Sequence, residues 1–156
     1  MIENLIIGSD HGGFHLKESL RGFIEKLGVK VENAGTYDDS SVNYVTYADR
    51  VAGDVSRGRF HGGILLCGTG LGMSIAANRF PNVRAALCND IFLARMSREH
   101  NDSNVLVMGG RVIGEELARE IVRTWLGTPF QGGRHMERIQ SIENLSVCNV
   151  KGASIE

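Results

Sequence analysis

Five short apolar runs alternate with helix-period segments along nearly all of this chain, and that alternation leaves few folds open. The runs predict strands at Asn4–Ser9, Val29–Asn33, Gly63–Cys67, Val83–Cys88 and Asn104–Met108. Helical spacing marks Phe14–Leu27, Tyr47–Ser56, Leu71–Arg79, Ile91–His100, Glu115–Leu126 and Arg134–Leu145. In the first of these Leu16, Leu20, Phe23, Ile24 and Leu27 share a face and Gly28 ends the helix; Pro81 closes the third. Apolar strands without a polar face need cover on both sides. The pattern therefore predicts a three-layer α/β/α domain with a five-stranded parallel sheet, Rossmann- or flavodoxin-like, plus a C-terminal helix. Right-handed crossovers and the strand order 2-1-3-4-5 are expected. One domain spans 1–145, and 146–156 reads as a frayed tail holding Cys148.

The 156 residues suit a single domain with a real core. Lys and Arg number 17 against 18 Asp and Glu, so no basic excess points to nucleic acid or a membrane surface. The first residues lead straight into a strand rather than a signal pattern, and no apolar run approaches the roughly 18 residues that span a bilayer. Cys67, Cys88 and Cys148 are widely spaced and odd in number, which makes neither a disulfide framework nor a zinc pattern. A cytoplasmic protein with reduced thiols is expected.

In such a sheet, ligands lie outside the carboxyl ends of the strands, at the point where strand order reverses. There the first strand ends in Ser9-Asp10-His11-Gly12-Gly13 and the third in Cys67-Gly68-Thr69-Gly70-Leu71-Gly72. The glycine turn opens a helix, whose first N–H groups favour an anion in front of them, a thiolate included. Gly35-Thr36-Tyr37-Asp38 and Arg111 belong to the same edge. A thiolate base, a histidine and an anion-holding loop suit proton transfer beside a carbonyl through an enediolate. Arg134 and Arg138, four apart on a helix, suit a phosphate. A sugar phosphate would satisfy all of these. His100, in Ser97-Arg98-Glu99-His100-Asn101, ends a helix running back from that edge; if catalytic, it serves a neighbour's site, which predicts a homodimer with composite sites.

Plainer readings exist for each residue. Cys67 could be a small core hydrophobe, His11 an oriented turn residue, His100-Asn101 a helix cap and the arginine pair a solvated face. Cys88 is followed by Asn89-Asp90 rather than a glycine loop and reads as core; His15 and His61 read as surface residues. A dinucleotide site fits poorly, because Gly68-Thr69-Gly70-Leu71-Gly72 is G-x-G-x-G, follows the third strand, and has Met73 where the last glycine belongs. A purely structural protein would leave the convergent His, Cys and Arg without purpose.

The stretches Gly8–Gly13, Cys67–Asn78, Ser97–Asn101 and Gly132–His135 together make the chain similar to the B-type ribose-5-phosphate isomerases, within the group that includes galactose- and allose-6-phosphate isomerases. The resemblance covers nearly everything up to Leu145. It implies a metal-independent, cofactor-free aldose–ketose isomerase acting on ribose 5-phosphate and ribulose 5-phosphate, as a homodimer or a tetramer. By the same resemblance Cys67 moves the proton between C1 and C2, Thr69 lies in the anion-stabilising loop with Gly68, Gly70, Leu71 and Gly72, and His100 opens the furanose ring, with Asp10 a further candidate. His11, Arg111, Arg134 and Arg138 hold the phosphate, Asn101 contacts the sugar across the dimer, and Tyr44 lines the sugar site. Some relatives place a glutamate base further along the glycine loop; this loop contains no carboxylate, so Cys67 is the only base available in it. Both the cysteine loop and the Gly-Gly-Arg-His segment are present, which favours a homomeric enzyme. Where the family commonly reads Asp-Tyr-Pro-Asp, this chain has Asn43-Tyr44-Val45-Thr46, so a six-carbon phosphate stays open as the substrate.

Overall fold

The computed structural model describes residues 2–145. Strands and helices alternate as β1 (Asn4–Ser9), α1 (Phe14–Lys26), β2 (Lys30–Gly35), α2 (Tyr44–Ser56), β3 (Gly62–Cys67), α3 (Leu71–Ala77), β4 (Ala85–Leu87), α4 (Ile91–Asn101), β5 (Val105–Gly109), α5 (Glu115–Gly127) and α6 (Arg134–Glu143). The strands form one parallel sheet. Alternating side chains feed two cores. Leu5, Ile7, Ile64, Leu66, Leu106 and Met108 pack with Leu16, Leu20 and Ile24 of α1 and Ile121 and Trp125 of α5. Ile6, Leu65, Val105 and Val107 pack with Val51 and Val55 of α2 and Met73 of α3. The expected three layers are thus present, with α6 added outside them against α4.

The strand order is a correction. It runs β2-β1-β3-β5-β4, not 2-1-3-4-5. Burial explains the exchange. All five residues of β5 are buried, whereas β4 keeps only Ala85–Leu87, each half-buried. The fully apolar strand takes the interior place beside β3, and the short one takes the edge, where few backbone groups stay unpaired. The reversal point between β1 and β3 is unaffected.

A second difference lies before the predicted second helix. α2 begins at Tyr44, three residues ahead of the Tyr47 expected, because the Asn43 side chain accepts the N–H of Val45 at 3.0 Å and caps the helix. The Asn43-Tyr44-Val45-Thr46 segment is therefore a cap and a first helical turn rather than a loop. No helix among the described residues is long and apolar enough to cross a membrane. The expectations for Cys148 and for a frayed tail from Ser146 fall outside the described residues.

Candidate active site

Three turns meet at the carboxyl edge of the sheet, and backbone bonds hold them together. The N–H of Asp10 donates to Leu66 O at 3.1 Å, that of Gly110 to Cys67 O at 2.8 Å, and that of Arg111 to Gly68 O at 3.0 Å. Glycine makes this approach possible: a Cβ at Gly12 would stand 2.9 Å from the Gly68 nitrogen, and one at Gly110 2.5 Å from Gly12 O. The Thr36 N–H joins from after β2, donating to Ser9 O at 2.8 Å.

Cys67 is the last residue of β3 and its side chain faces the α2–α3 core, leaving the residue 5% exposed. Its Sγ accepts the Gly70 N–H at 3.1 Å. Gly70 reaches that position at φ +81, and α3 starts immediately after it. A second N–H of the turn, from Leu71, donates to Thr69 Oγ1 at 3.4 Å. Two of the loop donors thus serve the thiol and the hydroxyl directly. Cys88 is different in kind: it is buried with no glycine turn beside it, and burial pushes its thiol up to about 11.

The neighbouring side chains are those expected at this edge. Arg111 lies over Gly68, with its Nη1 3.8 Å from where a Cβ would stand. Asp10 is buried, and its Oδ1 accepts the Gly13 N–H at 3.1 Å, so one oxygen shapes the turn. His11 Nδ1 accepts the Val42 N–H at 3.2 Å. A backbone N–H can only donate, so the neutral ring carries its proton on Nε2, free for a ligand. The Tyr44 ring lies against Gly72, where a Cβ would come within 2.6 Å of its Cζ.

His100, Asn101, Arg134 and Arg138 are not brought to this edge. Arg84, just ahead of β4, donates from Nε to the carbonyl of Asn101 at 2.9 Å, which fixes the end of α4 at the amino ends of the strands. The loop before α6 follows it: Gln131 donates from its backbone N–H to Glu99 O at 3.1 Å and from Nε2 to Glu99 Oε2 at 3.0 Å. Gly132 and Gly133, both at positive φ, then turn the chain into Arg134. A cavity of about 800 Å³ opens at this amino edge, between the α3–β4 turn and α6, with Asn101 in its wall. Arg111, Arg134 and Arg138 pair with no carboxylate among the described residues, so their charge is free for an anion.

Sequence reasoning missed three features of this geometry. The Val42–His11 bond joins residues 31 apart and leaves no local signal. The apposition of Tyr44 and Gly72 depends on how α2 and α3 pack. His135 was visible only as part of Gly132–His135, yet its ring is buried and stacked on that of His100, with centroids 4.2 Å apart and planes 7° from parallel.

Residues 5–142 match the family described as Ribose/Galactose Isomerase. The chain is 45% identical over 141 residues to ribose-5-phosphate isomerase B of Escherichia coli, covering 90% of this chain and 95% of that one. It is 37% identical over 141 residues to a D-erythrulose-4-phosphate isomerase of Pectobacterium atrosepticum, covering 89% and 92%. Among solved structures, Clostridium thermocellum ribose-5-phosphate isomerase B superposes with a TM-score of 0.88 at 50% identity, over 90% of this chain and 95% of that one. A match spanning both edges of the sheet and every turn described above assigns the chain to the ribose/galactose isomerase family, as an isomerase.

Proposed function

We propose that this isomerase interconverts D-ribose 5-phosphate and D-ribulose 5-phosphate in the cytoplasm, with the Cys67 thiolate as base. The Cys67 Sγ–Gly70 N–H contact, beside Arg111 and the Nε2–H of His11, carries the reading. The phosphate binds to His11 and the arginines. Cys67 removes the C2 proton and returns it to C1, while remaining donors of the Gly68–Gly72 turn and the Thr69 hydroxyl hold the enediolate oxygen. Asp10 and His100 move the protons that open the furanose ring.

Cys67 ends β3 at the carboxyl edge and His100 lies near the end of α4 at the amino edge, a separation that supports a composite working site. His100, Asn101, Arg134 and Arg138 come from a second copy of the chain. Apolar side chains left exposed around the carboxyl edge support this: Leu71, Ile75, Phe92 and Val112 are each more than half exposed.

A coupled assay of Cys67→Ala on ribose 5-phosphate tests the base. Loss of a positioned base typically costs about 100- to 10,000-fold, and the expected drop lies in kcat while substrate still binds by calorimetry. Near-normal turnover by this variant would remove Cys67 from the role. The similarity to a D-erythrulose-4-phosphate isomerase favours running the wild-type assay across four-, five- and six-carbon phosphates. A clear preference for a six-carbon aldose phosphate would change the substrate and leave the reaction class intact.

A further inference from the structure

His100 and His135 come from different helices, yet their rings lie face to face 4.2 Å apart and 7° from parallel. His135 is the buried member, 5% exposed, while His100 is half-buried and Asn101 beyond it is exposed. The backbone fixes this arrangement from both sides. α4 ends at Asp102, whose φ of 43 stops the helix, and the Gln131 bonds to Glu99 dock the start of α6 on the last turn of α4. His135 N–H donates to Gly132 O at 3.1 Å, so the glycine turn sets the ring's position.

We infer that His135 is a positioning residue: its buried imidazole is the flat surface that holds the plane of His100, so that His100 presents one ring edge to the sugar. This rests on the ring-opening role given to His100 above. The charges around the pair support it. Facing His135 are His100 and Glu99 on α4 and Arg134 and Arg138 on α6. Burial first, then the charges of His100, Arg134 and Arg138, hold the His135 pKa below the ordinary histidine value; Glu99 opposes them weakly. The buried ring therefore holds a proton less readily than a free histidine does. Two stacked imidazolium ions would repel, and that repulsion is the effect His100 has on His135.

The test compares wild type, His135→Ala and His135→Phe by steady-state kinetics on ribose 5-phosphate, with the His100 Cε1–H resonance followed by NMR. Removing the platform should lower kcat about tenfold or more, as misplacement of a catalytic group does, with KM little changed. Phe keeps a flat ring and should restore most of kcat. The ring-current shift of His100 should vanish in the Ala variant and persist in the Phe variant. Equal losses in Ala and Phe, or an Ala variant as active as wild type, would overturn the inference. So would an unmoved His100 resonance in His135→Ala, whatever the activity. A wild-type protein inactive on every sugar phosphate would instead count against the proposed reaction, and the NMR arm would still decide the stack.

Discussion

Gly70 and Gly72 are two residues apart in one turn, and the space around them separates a glycine hemmed in by backbone from one that leaves room for the Tyr44 ring. At Gly70 the backbone sits at φ +81, and a Cβ would meet Leu87 Cδ1 at 2.4 Å and the Met108 carbonyl carbon at 3.1 Å. Gly70→Ala should therefore destabilise by about 1–3 kcal/mol in urea unfolding and disturb the N–H that serves Cys67. At Gly72 the obstacle is the far end of the Tyr44 ring, which can swing away. Gly72→Ala should leave stability within about 0.5 kcal/mol while raising KM, because it displaces a side chain at the proposed sugar site. If both variants lose stability equally, the Tyr44 apposition is not the reason for Gly72. Cys67, Asp10, His11 and Arg111 could be picked out in the sequence because strand ends and glycine turns are local patterns. The partners that orient them, such as the Val42 N–H on His11, come from distant chain and had no such pattern.

At the scale of elements, periodicity located every strand and helix, and the errors fell where a side chain or a burial gradient decided the outcome. The early start of α2 hangs on the Asn43 cap. Asn43→Ala should cost about 1 kcal/mol, Asn43→Gly only a few tenths, measured by denaturant midpoint. Because Tyr44 is the next residue, the same loss should loosen its ring over Gly72. The family's proline, placed back as Val45→Pro, would remove the N–H that Asn43 now accepts. The exchange of β4 and β5 could have been anticipated from Arg84 and the shortness of the apolar run beside it, but both runs looked alike as isolated strands. The α4–α6 contact makes a prediction about pH. His135 has a lowered pKa in the fold, so the folded state binds its proton less readily than the unfolded chain does. That contribution to stability is complete above the unfolded value near 6.5 and is lost as pH falls through the lower folded value. The Tm of wild type should fall between pH 7.5 and pH 5 more steeply than that of His135→Phe, which has no proton to take up. Parallel curves would show that His135 does not titrate differently on folding.

For the whole molecule, the direction of α4 is decisive. A helix that follows a parallel strand must return toward the strands' amino ends, so the sequence order alone put His100 away from Cys67, and the Arg84 bond to Asn101 agrees with that placement. What could not be read from the sequence was the company His100 keeps, since α6 reaches it through a glycine turn rather than through the sheet. A shared site makes a quantitative demand. Cys67→Ala and His100→Ala homodimers each contain two broken sites. In a mixed dimer the two lesions fall in the same composite site, and the other site keeps Cys67 from one subunit and His100 from the other. Refolding equal amounts together and letting subunits pair at random gives half mixed dimers, each with one intact site of two. Activity should rise from near zero to about one quarter of wild type. A site built within one subunit gives no such recovery, because every subunit then carries a lesion. Size-exclusion chromatography with differently tagged subunits, run on the same mixture, shows that exchange took place. Mixed dimers present with no activity would mean that His100 does not act across the interface, and the two edges of the sheet would need another explanation.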